Sequence, residues 1–346
     1  MSSHGPIEDF PPFLPPTKEG VARAMELLKT GEIVALPTET VYGLAANALD
    51  ERAVRYLFTI KGRPLIDPLI VHGLDVAFFS KLAHFTPTAR QLAEACWPGP
   101  LTLVVRKTSA VPLLVTAGRD TVALRAPAHP LIRAVLAACQ LPLAAPSANP
   151  FGYLSPTRAE HVRASFGGKV PWILDGGPCS LGLESTIVDV SDEFAPPRIL
   201  RPGPITPEAL GQILGRRLVV GEPPPLLSKE TSGLASPGLL ARHYSPSTPL
   251  GLLNPGQTPE SPPVGRRTAW VRIQRPKPTE PTPHGVEVFW LSEDGNLGEA
   301  ARRLYDLLRK LDESGHEKIW CETAPNSGLG LALNDRLRRA AGLGKS

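Results

Sequence analysis

The stretch Glu32-Ile33-Val34-Ala35-Leu36-Pro37-Thr38-Glu39-Thr40-Val41-Tyr42-Gly43-Leu44 passes from an apolar segment straight into a run rich in hydroxyl groups. Glu32–Leu36 reads as a short buried strand, which Pro37 ends. Upstream, Thr17 predicts a helix N-cap; Val21, Met25 and Leu28 recur at helical spacing, and Gly31 stops the run. Downstream, Asp50 predicts the cap of a second helix that reaches about Lys61. Helix, strand, turn and helix open an α/β domain. Polar residues directly after such a strand face the crevice where open α/β sheets bind ligands. The same residues can also form an ordinary turn through local backbone bonds, and chemistry alone leaves both readings open.

Working outward, further strands are predicted at Pro68–His72, Leu101–Val105, Val122–Arg125, Pro142–Ala145, Trp172–Leu174, Thr186–Val190 and Arg198–Leu200. Helices are predicted between several of them, over Thr88–Cys96, Leu131–Cys139 and Arg158–Ser165. Residues 17–215 are therefore read as one α/β domain. Residues 1–16, with five prolines and no period, read as a flexible tail or a strap. Residues 216–249 lose periodicity and carry Pro223-Pro224-Pro225, Ser236-Pro237-Gly238 and His243-Tyr244-Ser245-Pro246, the signature of a linker or a functional lid. Residues 250–346 form a second, small Rossmann-like α/β domain. Its strands are predicted at Leu250–Leu253, Thr268–Ile273, Val286–Leu291 and Lys318–Glu322, and its helices over Leu297–Asp312 and Leu329–Ala341. Gly328-Leu329-Gly330 lacks the third glycine of a dinucleotide fingerprint, so nicotinamide binding is not expected there.

Composition agrees with this division. Apolar residues make up 42% of 346, enough for a sizeable core. The 40 prolines, about 12% against an average near 5%, exclude an all-helical bundle and belong in turns and linkers. A net charge of +4 is too weak for a protein that coats nucleic acid, yet suits an anionic substrate. Cys96, Cys139, Cys179 and Cys321 lie far apart, so neither zinc nor a disulfide framework is indicated. There is no basic region followed by an apolar run at the start, and no stretch of about 18 apolar residues, so a cytoplasmic protein with no membrane association is expected.

No Walker A loop, nucleophile elbow or H-E-x-x-H is present. Lys61-Gly62-Arg63-Pro64 places two cations at a helix end, with a glycine that allows close backbone approach; the helix dipole alone also accounts for them. Ser147-Ala148-Asn149 follows a predicted strand with small polar side chains. In order and spacing, these elements resemble the Sua5/YrdC/YwlC family when taken with Thr38–Leu44, Pro68–His72, Glu184-Ser185-Thr186-Ile187-Val188-Asp189 and Arg201-Pro202-Gly203. The Ser-Pro-Gly and His-Tyr-x-Pro of the linker, with Gly328–Ala332 and Arg336-Leu337, resemble the long two-domain Sua5 form, so the resemblance covers about residues 17–346.

The resemblance implies an N-terminal twisted mixed sheet with flanking helices. It implies synthesis of L-threonylcarbamoyl-AMP from L-threonine, bicarbonate or CO2 and ATP, with Mg2+ held mainly by the ATP phosphates. A hand-over to a tRNA threonylcarbamoyl-transferase complex would follow. Carried over residue by residue, it implies a threonine site at Thr40, His72, Arg125, Ala145 and Ser185. ATP contacts are implied at Lys61, Arg63, Asp67, Thr121, Ser147, Asn149, Ser155, Arg201 and Tyr244, with Lys61 and Arg63 nearest the chemistry. Asp67 stands where the family usually has Asn; aspartate cannot donate a hydrogen bond and repels phosphate, so its role is open. Leu239 stands where methionine or threonine is commoner.

Two rivals follow from the residues. A double-stranded RNA or tRNA binding module could use Arg302-Arg303 and Arg336, Arg338-Arg339, although on helices such clusters read more readily as solvated faces. Carbamoyl transfer for metal-centre maturation uses a related domain, but it needs C-x-x-C zinc fingers and an acylphosphatase-like domain that this sequence lacks.

Overall fold

The computed structural model describes residues 12–221, 234–237 and 243–343. The chain opens with helix α1 (Lys18–Lys29), capped by Thr17, whose hydroxyl accepts from the Gly20 N–H. β1 (Val34–Leu36) then turns back into β2 (Gly43–Asn47), antiparallel to it. The last two residues of the stretch read as a turn, Gly43 and Leu44, therefore open a strand. Its residues are buried on both faces, so no polar alternation marks it. α2 (Glu51–Lys61) starts on Asp50, as expected, and ends on Gly62 at φ 61°. Its positive φ makes this glycine the left-handed cap of the helix.

The N-terminal domain continues through β3 (Ile70–His72), β4 (Ala83–His84), α3 (Pro87–Cys96), β5 (Leu101–Lys107), α4 (Leu113–Thr116), β6 (Thr121–Arg125), α5 (Pro130–Cys139), β7 (Leu143–Ala144) and α6 (Ala159–Phe166). It ends with β8 (Thr186–Asp189), β9 (Arg198–Arg201), α7 (Pro207–Leu214) and β10 (Val219–Val220). The sheet order is β1-β2-β7-β3-β6-β5-β8-β9-β10, with β4 on β5. Parallel pairs (β3 with β6, β5 with β8) alternate with antiparallel ones (β5 with β6, β8 with β9), giving the expected mixed sheet. Trp172–Leu174, predicted as a strand, makes only isolated bridges, Ile173 with Ala35 and Leu174 with Leu14. Leu14 also exchanges backbone bonds with Ile173 and Asp175, so this part of the proline-rich start lies across the domain as a strap.

The C-terminal sheet is built from β11 (Leu250–Leu253), β12 (Thr268–Gln274), β13 (Val286–Ser292) and β14 (Lys318–Glu322), all parallel in the order β11-β14-β12-β13. α8 (Leu297–Glu313) and α9 (Leu329–Ala340) pack on one face through Leu304, Leu308, Leu333 and Leu337 against Val271, Ile319 and Cys321. The same apolar cluster takes in Val41, Leu154 and Leu183 from loops of the N-terminal domain, and Tyr244, so the C-terminal core extends onto that domain. Gly182 marks a close approach between the two domains: at φ 77°, its Cβ would lie 2.5 Å from Arg302 Cα on α8. The four cysteines are free, three of them buried. No helix among the described residues is long and apolar enough to cross a membrane.

Candidate functional site

The mixed strand directions bring residues at the ends of several interior strands of the N-terminal sheet together. His72 and Arg125, the last residues of β3 and β6, are paired in register. Ser185 precedes β8, and Arg201 ends the antiparallel β9 beside it. Thr40 and Val41 lie between β1 and β2, and Ala145 and Ser147 follow β7. These residues line one cavity together with Arg63, Glu184, His243 and Tyr244. All five residues expected at the threonine site are on its wall, with Arg63, Ser147, Arg201 and Tyr244 of the ATP set.

The remaining expected residues lie differently. Lys61 is buried in the last turn of α2, where its Nζ donates to the carbonyls of Ser147 (2.6 Å) and Asn149, fixing that loop. Asn149 donates to the Pro150 and Tyr153 carbonyls, both at 2.9 Å, while its Oδ1 has no hydrogen-bond partner among the described residues. Ser155 hydrogen-bonds the Glu184 carboxylate. Asp67 forms a buried ion pair with Arg63 at 2.9 Å, and Arg63 also donates to the carbonyls of Asp67 and Pro68. The aspartate thus holds the guanidinium of a cavity residue. Thr121 begins β6, opposite Arg106 and four residues before Arg125, and does not line the cavity.

Several groups around the cavity were not singled out as site residues from the sequence. Thr38 Oγ1 accepts from the N–H groups of Thr40 and Val41 at 3.1 Å and donates to the Val41 carbonyl, which locks the Thr-Glu-Thr turn. With that proton used, the Thr40 hydroxyl donates to Thr38 at 2.8 Å and keeps a lone pair for Arg125 Nη1 at 2.9 Å. Glu39 pairs with Arg125 at 2.7 Å and accepts from the Ala128 N–H. Three N–H groups of Arg125 meet Gly99, Thr40 and Glu39, which leaves at most two of its five for a ligand. Thr102 hydrogen-bonds Ser185 at 2.7 Å. The clearest correction concerns Arg336. Read as part of a solvated or RNA-facing cluster, it is 1% exposed and ion-paired with Glu184 at 2.7 Å. Its place on the apolar stripe Leu333-Arg336-Leu337 of α9 was the signal for this.

Buried charge is the site's distinguishing property. Arg63, Arg125 and Arg336 have carboxylate partners, but neither Lys61 nor Arg201 has one within 4.0 Å among the described residues. Arg201 spends its guanidinium on the Ser185 carbonyl and hydroxyl and on the Pro237 carbonyl. Burial, and then the Arg63 charge, hold the Lys61 ammonium well below its usual pKa. Burial also depresses Arg63 and Arg201. Uncompensated buried cations are costly, and an anion placed among them removes much of that cost. His72 is pushed down to about 3 by burial and by Arg125, so its ring is neutral at pH 7. His243 is likewise depressed, by burial and by Arg63 and Lys61. His72 Nδ1 and the Tyr244 hydroxyl, both buried, have no hydrogen-bond partner among the described residues and are suited to ligand polar groups. Tyr244 stands at φ 60°, a strained value for a tyrosine.

Comparison with known proteins places this geometry. The family model of the Sua5, YciO and YrdC proteins, described as "Telomere recombination", matches residues 26–203. One described as "Threonylcarbamoyl-AMP synthase, C-terminal domain" matches residues 205–342. The threonylcarbamoyl-AMP synthase of Pyrococcus abyssi is 39% identical over 329 residues, 92% of this chain and 93% of that protein. Its Bacillus subtilis counterpart is 39% identical over 330 residues, 93% of each chain. The crystal structure of Pyrococcus abyssi Sua5 complexed with L-threonine superposes with a TM-score of 0.82 at 35% identity, covering 96% of this chain and 97% of that one. In both of its parts, then, the chain belongs to the Sua5-type threonylcarbamoyl-AMP synthase family.

Proposed function

We propose that this protein makes L-threonylcarbamoyl-AMP from L-threonine, bicarbonate or CO2 and ATP, releasing pyrophosphate. This is the first step towards threonylcarbamoyladenosine in tRNA. The observation that carries the reading is the meeting, in one cavity, of the threonine-side residues Thr40, His72, Arg125 and Ser185 with the buried cations Arg63 and Arg201. Lys61 secures its Ser147–Asn149 wall.

The chemistry asks little of acid–base residues. Threonine's amine adds to CO2 and loses a proton, or displaces water from bicarbonate, to give a carbamate anion. A carbamate oxygen attacks the α-phosphorus of ATP, the bond to the bridging oxygen breaks, and pyrophosphate leaves. The protein's part is positioning and charge neutralisation. Arg125 meets the threonine carboxylate with its remaining N–H groups, a planar donor set that lysine lacks. Arg63 and Arg201 meet the triphosphate, and Asp67 keeps Arg63 oriented before ATP arrives. Among the described residues there is no group of three His, Cys, Asp or Glu side chains that could cage a metal. A Mg2+ arriving with ATP would be held mainly by the phosphate oxygens, whose charge it would neutralise. Tyr244, packed over the cavity from the linker, helps keep water from the labile mixed anhydride. The product passes in the cytoplasm to a tRNA threonylcarbamoyl-transferase complex.

The RNA-binding alternative loses Arg336 and Arg339, which are buried. The test of the enzymatic reading is pyrophosphate release by purified protein supplied with ATP, Mg2+, L-threonine and bicarbonate. Release should require both threonine and bicarbonate. Release indifferent to either contradicts the proposed reaction.

A further inference from the structure

The wall behind the cavity is held from the C-terminal domain. Glu184, the residue before Ser185, is buried, and its carboxylate accepts from the Tyr305 hydroxyl at 3.1 and 3.2 Å, from Arg336 Nε at 2.7 Å, and from Ser155. Tyr305 belongs to α8 and Arg336 to α9. Arg336 reaches further: its Nη1 donates to the Pro202 carbonyl at 3.1 Å, next to Arg201. Its guanidinium carbon also lies 5.2 Å from the centre of the Tyr244 ring, whose own centre is 6.0 Å from that of Tyr305. Asp335 steadies the same guanidinium at 2.6 Å. One side chain of the C-terminal domain therefore touches three points, each a cavity residue or the neighbour of one.

Stability alone is a weak reason for such an arrangement. Desolvating a buried ion pair costs about what the attraction returns, and an apolar pair of the same volume would serve the fold as well. What the pair does provide is a fixed register between groups that must act together.

We propose that Arg336 and Tyr305 are positioning residues that act through Glu184 to set Ser185, Arg201 and Tyr244, so that the C-terminal domain completes the substrate site. This inference rests on the function proposed above. Because misplacement by about 1 Å can cost about a hundredfold in rate, a loosened Glu184 should weaken the site without unfolding the protein.

The experiment compares full-length wild type, Arg336→Lys and Tyr305→Phe by pyrophosphate-release kinetics and by calorimetric titration with L-threonine and with ATP. Arg336→Lys keeps a charge against Glu184, but one ammonium cannot bridge Glu184 and Pro202. The expected result is a cooperative melt with KM for L-threonine and ATP raised at least about tenfold. Tyr305→Phe removes only the hydroxyl and should raise both KM values about threefold. A folded Arg336→Lys with both KM values within about twofold of wild type overturns the proposal. Should Arg336→Lys not melt cooperatively, unchanged KM values in Tyr305→Phe overturn it instead. A wild type that releases no pyrophosphate contradicts the reaction, not the positioning. The calorimetric affinities then decide: weaker L-threonine binding by the variants supports the inference, and equal binding overturns it.

Discussion

Two sets of charged residues, one at the rim of the C-terminal sheet and one around the cavity, lie in opposite surroundings. At the rim of the C-terminal sheet, Arg267 pairs with Glu287 and Arg275 with Glu293 on the surface, every partner at least 42% exposed. Around the cavity of the N-terminal domain, Lys61, Arg63, Arg125 and Arg201 are all at most 7% exposed, and Lys61 and Arg201 have no carboxylate partner within 4.0 Å among the described residues. Surface pairs contribute little to stability and leave their ions hydrated. Buried cations cost stability in the free protein and return it when an anion arrives. The difference separates a hydrated surface from a cavity wall suited to an anion.

Substitutions can break or sharpen this contrast. The largest expected effect on turnover comes from the cavity: Lys61→Ala and Arg63→Ala should each lower threonine-dependent pyrophosphate release at least about tenfold, at least roughly 1.4 kcal/mol of transition-state stabilisation. Unchanged rates would remove both residues from the site. Next comes the seam between the sheets. Gly182→Ala puts a Cβ against Arg302 at a φ that disfavours alanine, and should cost at least about 2 kcal/mol in denaturant unfolding. A variant as stable as wild type would mean that the two domains do not meet there.

A third effect depends on pH. The His72 pKa is about 3 in the folded protein and near 6.5 unfolded, so the unfolded chain binds more protons between those values. Stability should therefore be highest above pH 6.5 and fall as the pH drops towards 3. His72 should account for about 2 kcal/mol of the loss between pH 7 and 5. Denaturant melts of His72→Asn at both pH values should recover that share; an equally steep loss would assign it elsewhere. Smallest of all, Arg267→Ala should change stability by no more than about 0.5 kcal/mol and leave turnover untouched.

Legibility followed the same divide. The C-terminal strands and helices were predicted almost residue for residue, because one face of α8 and α9 is apolar and the loops between strands are rich in proline and glycine. The N-terminal caps Thr17 and Asp50 were equally plain, since each side chain accepts from its own first turn. β2 was hidden because both of its faces are buried, and α7 because it lies where the domain was expected to end. At the site, the residues on the cavity wall could be listed from motif order. Their partners could not be. Glu39 and Glu184 sit inside quoted motifs, yet nothing local says that one meets Arg125 and the other an arginine 152 residues away. Of the expected linker, residues 222–233 and 238–242, Leu239 among them, lie outside the described residues.

The central claim is that this cavity joins a carbamate, not a simple carboxylate, to AMP. Incubation with ATP, Mg2+, L-threonine and 13C-labelled bicarbonate, followed by mass spectrometry, tests it directly. The account predicts a threonylcarbamoyl-AMP adduct carrying one labelled carbon, formed together with pyrophosphate. An unlabelled threonyl-AMP, or no adenylate at all, would contradict it.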